Sequence, residues 1–304
     1  MKKYISILVC VSFVALAIIF FYSSCSRNEC WRPLFNGSDL PPFHHYLGRP
    51  DSSVFVEGLK KDSAGNYTGN LGWSDPLNVY SVAILEGEPV IRISGQVIGG
   101  LVLADSVADF HLKLKFRWGT IKWGWMKGRP KDGGILYSGT KGGRHEFQIH
   151  EGDVGSYWAK NVIVDIPSVY TRNLPEAIVK AKPFLKNQVS TLNDSMLIFD
   201  PDAPLHHFEG RDEWQIVIAN PYNEKPHGEW NELELICYRN HAVHIVNGKV
   251  NVIVLNSYII KGEDTIPMNS GRLVLQSEGA EIYFKDIYFQ KVTSMPEELK
   301  NYIK

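Results

Sequence analysis

The chain consists largely of short runs in which apolar and polar residues alternate, and this pattern most restricts the folds open to it. Residues 110–118 carry an apolar side chain at every second position, with histidine, lysine or arginine between. Successive side chains of a strand point to opposite faces, so such a run predicts a half-buried strand. We predict further strands at residues 79–84, 89–93, 95–103, 133–138, 144–150, 232–238, 242–246, 249–255, 272–277 and 281–292.

The way these runs are joined favours an all-β fold. Asn247-Gly248 separates two of them, and a two-residue Asn-Gly connection is a strong hairpin signal. Many short strands with little helical periodicity predict a sandwich of two antiparallel sheets. With 304 residues, 44% of them hydrophobic, the chain can bury a large core. No linker divides it, so we expect a single domain over residues 30–295.

Residues 160–228 break the alternating pattern. Seven prolines lie between positions 165 and 227, together with tryptophan, tyrosine and histidine residues. We interpret this region as a long insertion of ordered loops, with a short helix at residues 174–185. Loops of this length inside a compact domain are usually functional. The aromatic content favours a loop that covers a binding site.

The N-terminus has the features of a targeting segment. Lys2 and Lys3 precede an apolar run at residues 5–21, and small residues lead to Cys25. This pattern is typical of a lipoprotein signal peptide, residues 1–25, with Cys25 as the lipidated first mature residue. The alternative is an uncleaved anchor, because about 17 apolar residues can span a bilayer. The lipoprotein interpretation predicts a membrane-anchored envelope protein that faces the periplasm, at the outer membrane in particular.

Charge and cysteine content narrow the classes of partner. The net charge of -1 offers no excess of positive charge for nucleic acid, so we expect no nucleic-acid partner. Two cysteines, Cys30 and Cys237, remain for the folded part, and their spacing is not that of a metal or redox motif. Whether they form a disulfide stays open at this point.

One strand concentrates reactive groups on a single face. In residues 144–150, Arg144, Glu146, Gln148 and His150 point to one side, and the residues between them are histidine, phenylalanine and isoleucine. A carboxylate, a carboxamide and an imidazole in a row can hold a polar ligand, bind a metal or move protons. We therefore predict Glu146, Gln148 and His150 as catalytic. The alternative is an ordinary solvated strand face.

Familiar catalytic motifs do not explain this strand. No acid stands between Glu146 and Glu151, so the two-carboxylate arrangement of ordinary glycoside hydrolysis is not visible on it. The sequence also has no Gly-x-Ser-x-Gly elbow, no phosphate loop and no His-Glu-x-x-His helix. The chemistry must therefore be inferred from the polar cluster.

Five motifs, in order along the chain, resemble those of a known family. They are Leu-Phe-Asn-Gly-Ser-Asp-Leu at 34–40, Asp-Gly-Gly-Ile-Leu-Tyr at 132–137, Glu-Phe-Gln-Ile at 146–149, Glu-Trp-Asn at 229–231 with His244 and Asn-Gly at 247–248, and Gly-Arg-Leu-Val-Leu-Gln at 271–276. The family is the 3-keto-glucoside 1,2-lyase/3-keto-2-hydroxy-glucal hydratase domain family, also known as 3-keto-disaccharide hydrolase. Residues 150–158 and 224–228 resemble a Bacteroides-type branch of it, here as a lipoprotein.

The resemblance implies a concanavalin A-like jelly roll with its site on the concave sheet. It implies cleavage of glucosides or disaccharides already oxidised at carbon 3. A base would remove the proton at carbon 2, the group at carbon 1 would leave, and water would add afterwards. Substrate-binding residues are then expected in and beside the motifs: Arg144, Tyr137, Glu151, Asp153, Trp158, His244 and Gln276.

This route requires a base and a group that stabilises an enolate. A divalent metal held by Glu146 and His150 would supply that stabilisation, and carboxylate with imidazole suits Mn, Co or Zn. We expect no organic cofactor. Two other classes stay open: a non-catalytic, lectin-like envelope lipoprotein, whose 8 Trp and 14 Tyr would stack on sugars, and a structural envelope lipoprotein. Turnover of an oxidised glucoside separates the enzyme from both.

Overall fold

The computed structural model describes residues 30–303, except 141, 175, 177, 180–190, 193–194 and 211–213. The predicted signal peptide with Cys25, and most of the predicted helix at 174–185, lie outside the described residues. Short 3-10 helices occur at Gly124–Met126 and Glu297–Leu299. In the described part of the chain, no helix has the length and apolar character needed to span a membrane.

Within the described residues the strands, numbered β1 to β21 in chain order, form two antiparallel sheets of thirteen and eight strands. The larger sheet contains β1 (Arg32–Pro33), β3 (Tyr80–Leu85), β4 (Glu88–Ile93), β7 (Phe110–Lys122), β11 (Val162–Thr171), β12 (Thr191–Leu192), β13 (Ser195–Phe199), β14 (Leu205–Glu209), β16 (Asn231–Tyr238), β17 (His241–Val246), β18 (Lys249–Lys261), β19 (Asp264–Pro267) and β21 (Ala280–Lys291). The smaller sheet contains β2 (Phe43–Leu47), β5 (Gly99–Leu103), β6 (Val107–Ala108), β8 (Asp132–Thr140), β9 (Gly143–His150), β10 (Tyr157–Lys160), β15 (Trp214–Val217) and β20 (Ser270–Ser277).

The order of strands in the smaller sheet brings distant parts of the chain together. That order is β15-β10-β9-β8-β20-β5-β2, so β20 lies between β8 and β5 although it is far from both in sequence. The chain crosses between the two sheets repeatedly, which is the arrangement of a jelly roll. The predicted all-β, concanavalin A-like sandwich of two antiparallel sheets is therefore confirmed.

The alternating runs pack their apolar faces between the sheets. In β7 the residues at even positions from Phe110 to Trp118 are buried, as the alternation predicts. Phe147 of β9 is fully buried, and its ring centroid lies 4.3 Å from that of His244 in β17. The Asn247-Gly248 connection between β17 and β18 has φ values of 48° and 77°, as a two-residue hairpin turn of this kind requires. The hairpin prediction is confirmed.

The prediction that residues 160–228 consist of ordered loops is wrong for the described residues, whereas their being an insertion stays a prediction. The described residues of this region include the five strands β11 to β15. Pro167 is tolerated within β11 because pairing with β18 ends at Asp165, so the missing N–H interrupts no bond to that strand. Pro167 therefore marks the limit of pairing with β18 and not the absence of a strand.

The structure answers the question that the sequence left open about Cys30 and Cys237. Cys237 carries a free thiol, and its side chain is buried between the sheets. These two cysteines are therefore not joined to each other.

Candidate active site

A pocket of about 290 Å³ lies on the face of the smaller sheet that points away from the core. Strands β8, β9, β10 and β20 form its floor, and the segments around Trp125 and Glu278 form its sides. Its walls comprise Ile98, Trp125, Met126, Arg129, Pro130, Asp132, Arg144, Glu146, Gln148, His150, Trp158, Trp214, Gln276 and Glu278.

The three predicted catalytic residues lie together in this pocket. Glu146, Gln148 and His150 all line it, and each is less than 10% exposed. The intervening residues face the core: Phe147 is fully buried there, and His145 Nδ1 lies 2.8 Å from the Tyr157 hydroxyl. The structure thus confirms the predicted division of this strand into a polar and a core face, whereas the catalytic roles stay a prediction.

A glycine brings two of the polar side chains close together. Gly134 pairs with Gln148 on β9, and on its other side lies Gln276 of β20. A Cβ atom placed on Gly134 would lie 2.5 Å from Oε1 of Glu146 and 3.0 Å from Oε1 of Gln276. The carboxyl and amide groups therefore occupy the space that any other residue at this position would fill.

Asp132 begins β8 and holds the predicted amide in place. Its Oδ1 accepts a hydrogen bond from Nε2 of Gln148 at 2.7 Å and one from the Gly133 N–H at 2.9 Å. Asp132 also stands opposite His150 in the register between β8 and β9. The Asp132 carboxyl is thus part of the polar group formed by Glu146, Gln148 and His150. The alternation of β9 does not reveal it, because Asp132 lies on β8.

Several buried polar atoms of the pocket have no hydrogen-bond partner among the described residues. They are Oε1 of Gln148, Oε1 of Gln276 and Nε1 of Trp158. Buried polar atoms in folded proteins are nearly always paired, because an unpaired group costs about 1–3 kcal/mol. Two acceptors and one donor without partners, all on residues that line one pocket, indicate a polar ligand with several hydrogen-bonding groups.

Comparison with known proteins assigns the chain to a family. The family model described as the 3-keto-alpha-glucoside-1,2-lyase-like domain matches residues 30–290. The chain belongs to this family. The family is one of carbohydrate-processing domains, so the pocket lies in a domain of that class. A search of curated proteins gave no match.

Solved structures similar to the chain include two glucanases and a protein assigned as a glycosyl hydrolase. A Parabacteroides distasonis protein assigned as a glycosyl hydrolase is 17% identical, with 86% of this chain and 94% of that chain covered and a TM-score of 0.42. A family GH16 endo-beta-1,3(4)-glucanase is 10% identical, with coverages of 88% and 93% and a TM-score of 0.40. A beta-1,3-glucanase of Mycobacterium marinum is 9% identical, with coverages of 88% and 99% and a TM-score of 0.36.

The pocket of this 3-keto-alpha-glucoside-1,2-lyase-like domain carries carboxyl groups with raised pKa values. Burial, and then the charge of Glu278, raises the pKa of Glu146 to about 8. Burial raises the pKa of Glu278 to about 7, and the guanidinium of Arg144 opposes the rise for both groups. Burial and the charges of Glu278 and Glu146 also raise the pKa of Asp132. Near neutral pH the pocket therefore holds carboxyl protons that can be exchanged.

The imidazole of His150 and the guanidinium of Arg144 differ in burial. Burial lowers the pKa of His150 to about 4, so its imidazole is neutral at pH 7 and can accept a proton. Arg144 is exposed at the rim, where its guanidinium lies 5.2 Å from the ring centroid of Trp214. Trp158, the cross-strand neighbour of Glu146, is 7% exposed and forms part of the wall. The predicted residues Arg144, Trp158 and Gln276 are thus brought together with Glu146.

Two predicted substrate-binding residues lie elsewhere. Tyr137 and His244 are buried between the sheets, where the Tyr137 hydroxyl lies 2.9 Å from Nε2 of His244. Nδ1 of His244 lies 3.0 Å from the Gly155 carbonyl oxygen. Tyr137 has the same parity in β8 as the buried Ile135, and all residues of β17 are buried. The structure therefore does not bring these two predicted substrate-binding side chains into the pocket.

Two acids predicted to bind substrate also lie outside the pocket that contains Asp132, Glu146 and Glu278, which we call the carboxyl pocket. Glu151 accepts hydrogen bonds from the backbone N–H of Lys131 at 3.0 Å and from its ammonium group at 3.2 Å. Asp153 is 2% exposed and accepts a hydrogen bond from the Ser156 hydroxyl, which itself accepts from the Ala219 N–H at 2.7 Å. Both acids stabilise the connection after β9, because β9 ends at His150 and its alternation no longer applies.

Sequence reasoning missed several pocket residues. Asp132 and Glu278 supply two of its carboxyl groups, and Trp125 and Arg129 form part of its walls. Asp132 stood within a recognised motif, so its position before the Gly133-Gly134 pair was a usable signal. Glu278 follows β20 in a connection without any periodicity, and only the strand order brings it to β9.

The predicted metal ligands Glu146 and His150 lie apart on β9. Glu146 and His150 stand four positions apart on one strand, which separates their Cα atoms by about 13 Å, with Gln148 between them. Among the described residues, no three His, Cys, Asp or Glu side chains are grouped so that they could hold a metal ion. Metal assistance stays a prediction, and the proton transfers proposed for this pocket do not depend on it.

Replacing Gly134 by alanine is expected to reduce activity on the domain's substrate by about 10- to 100-fold. The new Cβ must displace the Glu146 carboxyl, and a misplacement of about 1 Å can cost that much in rate. The fold should be retained, because the displaced atoms are side-chain ends. Gly133→Ala is the matched control, since its Cβ would meet nothing closer than 3.9 Å. Equal kcat/KM values for the two variants would contradict the close approach.

Proposed function

We propose that this protein cleaves glucosides or disaccharides that are oxidised at carbon 3, by elimination across carbons 1 and 2. The observation that supports this most is the presence of Glu146 and Glu278 in one pocket, with pKa values of about 8 and 7. Acid–base catalysis is most effective when the pKa lies near the operating pH. Family membership supports a carbohydrate substrate.

The proposed reaction uses the ketone of the substrate. The carbonyl at carbon 3 acidifies the proton on carbon 2, and an ionised carboxylate of the pair removes it as the electrons move into an enolate. The enolate then re-forms the ketone, the bond from carbon 1 to the leaving oxygen breaks, and a double bond forms between carbons 1 and 2. The protonated carboxyl of the pair donates its proton to the departing oxygen.

Other pocket groups have supporting roles in this proposal. Nε1 of Trp158, which has no partner among the described residues, can donate a hydrogen bond to a developing enolate oxygen. The free acceptor oxygens of Gln148 and Gln276 can bind sugar hydroxyls. Subsequent addition of water to the unsaturated sugar would give a free 3-keto-glucose, so that the overall outcome equals hydrolysis.

Incubation with one glucoside in its 3-keto and its unoxidised form tests the proposal. We expect release of the leaving group from the 3-keto form alone, together with exchange of the carbon 2 proton in deuterated water. Release from both forms at equal rates, or from the unoxidised form alone, would refute it and favour direct hydrolysis by the two carboxyl groups. Binding of glycans with no product from any 3-keto-glucoside would favour the lectin-like alternative, which the tryptophan rings of the pocket support.

We also propose that the protein is a lipid-anchored envelope lipoprotein that faces the periplasm. The basic residues, apolar run and small residues before Cys25 support this placement. A Cys25→Ala variant should lose labelling by a fatty-acid analogue and should fractionate with soluble proteins. Unchanged fractionation with membranes would favour an uncleaved anchor instead.

A further inference from the structure

The floor of the carboxyl pocket carries two amide groups, one on each side of strand β8. Gln148 of β9 and Gln276 of β20 both line the pocket, and Gly134 of β8 lies between them in the register of the sheet. Oε1 of Gln276 lies 3.0 Å from the point where a Cβ atom of Gly134 would stand. Because Gly134 has no side chain, an amide from the neighbouring strand can lie over β8 at this point.

The amide of Gln148 is held in one orientation by Asp132. Gln148 is 2% exposed, and its Nε2 donates a hydrogen bond to Oδ1 of Asp132 at 2.7 Å. The same Oδ1 accepts from the Gly133 N–H at 2.9 Å, so it stays an acceptor whether or not the carboxyl carries a proton on its other oxygen. A reversed amide would bring two acceptor oxygens together. Nε2 therefore stays on the side of Asp132, and Oε1 is the amide atom left for a ligand.

The two amides leave acceptor atoms for a ligand to pair. Oε1 of Gln148 and Oε1 of Gln276 are both buried, and neither has a partner among the described residues. A sugar hydroxyl can donate a hydrogen bond to such an oxygen, whereas a methylene group or an ether oxygen cannot. A ring that lacks the hydroxyl would cover the buried oxygen without pairing it, and sites of this kind reject such rings strongly.

We propose that Gln148 and Gln276 select an oxidised ring with free hydroxyls at carbons 4 and 6, and that Asp132 is the positioning residue for the Gln148 amide. This inference rests on the proposed function, because the reaction proposed there changes carbons 1 and 2, uses the ketone at carbon 3 and leaves those two hydroxyls intact. Each amide oxygen accepts from one of the two hydroxyls. Rings that lack either hydroxyl, or that are linked through its oxygen within a glycan chain, are then poor substrates. The pocket volume of about 290 Å³ suits a single ring of this kind.

The test compares p-nitrophenyl 3-keto-glucoside with its 4-deoxy and 6-deoxy analogues. For the wild-type protein, loss of either hydroxyl should lower kcat/KM at least about 10-fold, because a buried acceptor stays unpaired. Gln148→Met keeps the length of the side chain and removes the amide. It should reduce the discrimination against one of the two analogues to less than about 3-fold, and Gln276→Met should do so for the other analogue.

Variants of Asp132 test its role in positioning. Asp132→Ala should reproduce the pattern of Gln148→Met, with discrimination lost for the same analogue and kept for the other. Asp132→Asn should keep both ratios, because its amide oxygen can still accept from Nε2 of Gln148. A merely structural role of Asp132 would lower kcat/KM for all three substrates by the same factor and leave the ratios unchanged.

The ratios also give the results that would overturn the inference. A wild-type ratio below about 10-fold for either analogue would overturn the selection of hydroxyls while leaving the proposed function in place. Unchanged ratios in Asp132→Ala, or equal changes in both, would overturn the positioning role.

If the wild-type protein turns over none of these substrates, the proposed function fails, and binding tests the inference instead. Tryptophan fluorescence would then follow the binding of methyl glucoside and of its 4-deoxy and 6-deoxy forms. Stronger binding of methyl glucoside than of both deoxy forms, with the preference over one form lost in Asp132→Ala, supports the inference. Equal or undetectable binding of the three sugars overturns it.

Discussion

Replacing Glu146 by glutamine should lower kcat/KM for a 3-keto-glucoside by at least about 100-fold, the usual effect of a lost acid–base group. The amide keeps the shape of the side chain but can neither accept nor donate the proton that the carboxyl exchanges. The pocket around it should stay intact, because Glu146 is already uncharged for much of the time at pH 7, its pKa being raised to about 8. Steady-state kinetics on a 3-keto-glucoside measure the loss.

Glu151→Gln is the matched control for this variant. Glu151 lies five residues further along the chain but outside the carboxyl pocket, so its replacement should change kcat/KM less than about 3-fold. If Glu146→Gln retains full activity on a substrate that the wild-type protein cleaves, the acid–base group is not on β9. A large loss in Glu151→Gln would restore that residue to the site.

The Glu146→Gln variant should also change how the free energy of unfolding depends on pH. The folded protein keeps a proton on Glu146 up to about pH 8, whereas in the unfolded chain the group has its ordinary pKa of 4.5. Between pH 4.5 and pH 8 the folded state therefore binds more protons than the unfolded chain. The stabilisation that Glu146 contributes to the folded state is fully present below pH 4.5 and is lost as the pH rises through 8. Denaturant unfolding measures the free energy of unfolding at pH 5 and at pH 8. We expect this free energy to fall less between the two pH values for Glu146→Gln than for the wild-type protein.

Replacing Phe147 by alanine should lower the free energy of unfolding by about 3–5 kcal/mol, as expected for a phenylalanine truncated in a core. Phe147 is fully buried on the core face of β9, and its ring packs edge-on against His244 from the opposite sheet. The cavity would open where the two sheets meet, so neighbouring side chains could fill it only in part. Urea denaturation measures the change.

Phe55→Ala provides the same substitution at an exposed position. The Phe55 side chain is 79% exposed, so its loss should cost less than about 0.5 kcal/mol. A small effect at Phe147, similar to that at Phe55, would mean that β9 does not place this residue in the core. Together with Glu146→Gln, the pair separates the two faces of one strand: one variant should lose activity and the other stability.

Several features of the protein could be predicted because they are local in the chain. A strand turns each side chain to the face opposite its neighbour, so the run from Arg144 to His150 was enough to place Glu146, Gln148 and His150 together. The same rule placed Phe147 in the core. The Asn247-Gly248 turn was predictable because its two residues readily adopt the positive φ values that the hairpin needs.

Alternation was uninformative where both faces of a strand are covered. Every residue of β17 is buried, so the pattern around His244 could not say which side its imidazole faces. Tyr137 was assigned from its motif, whereas its parity with Ile135 in β8 directs it into the core. In β11, Pro167 suggested a loop, since the sequence does not reveal where pairing with β18 ends.

The sequence alone determined the strands that alternate clearly, the class of fold and the polar face of β9, because a period of two residues is a property of neighbouring positions. The tertiary structure alone decided that Asp132 and Glu278 join Glu146 in one pocket, since they reach it only through the order β9-β8-β20. It also decided the raised pKa values of these carboxyl groups, because burial and the charge of a neighbour arise only when distant segments of the chain pack together.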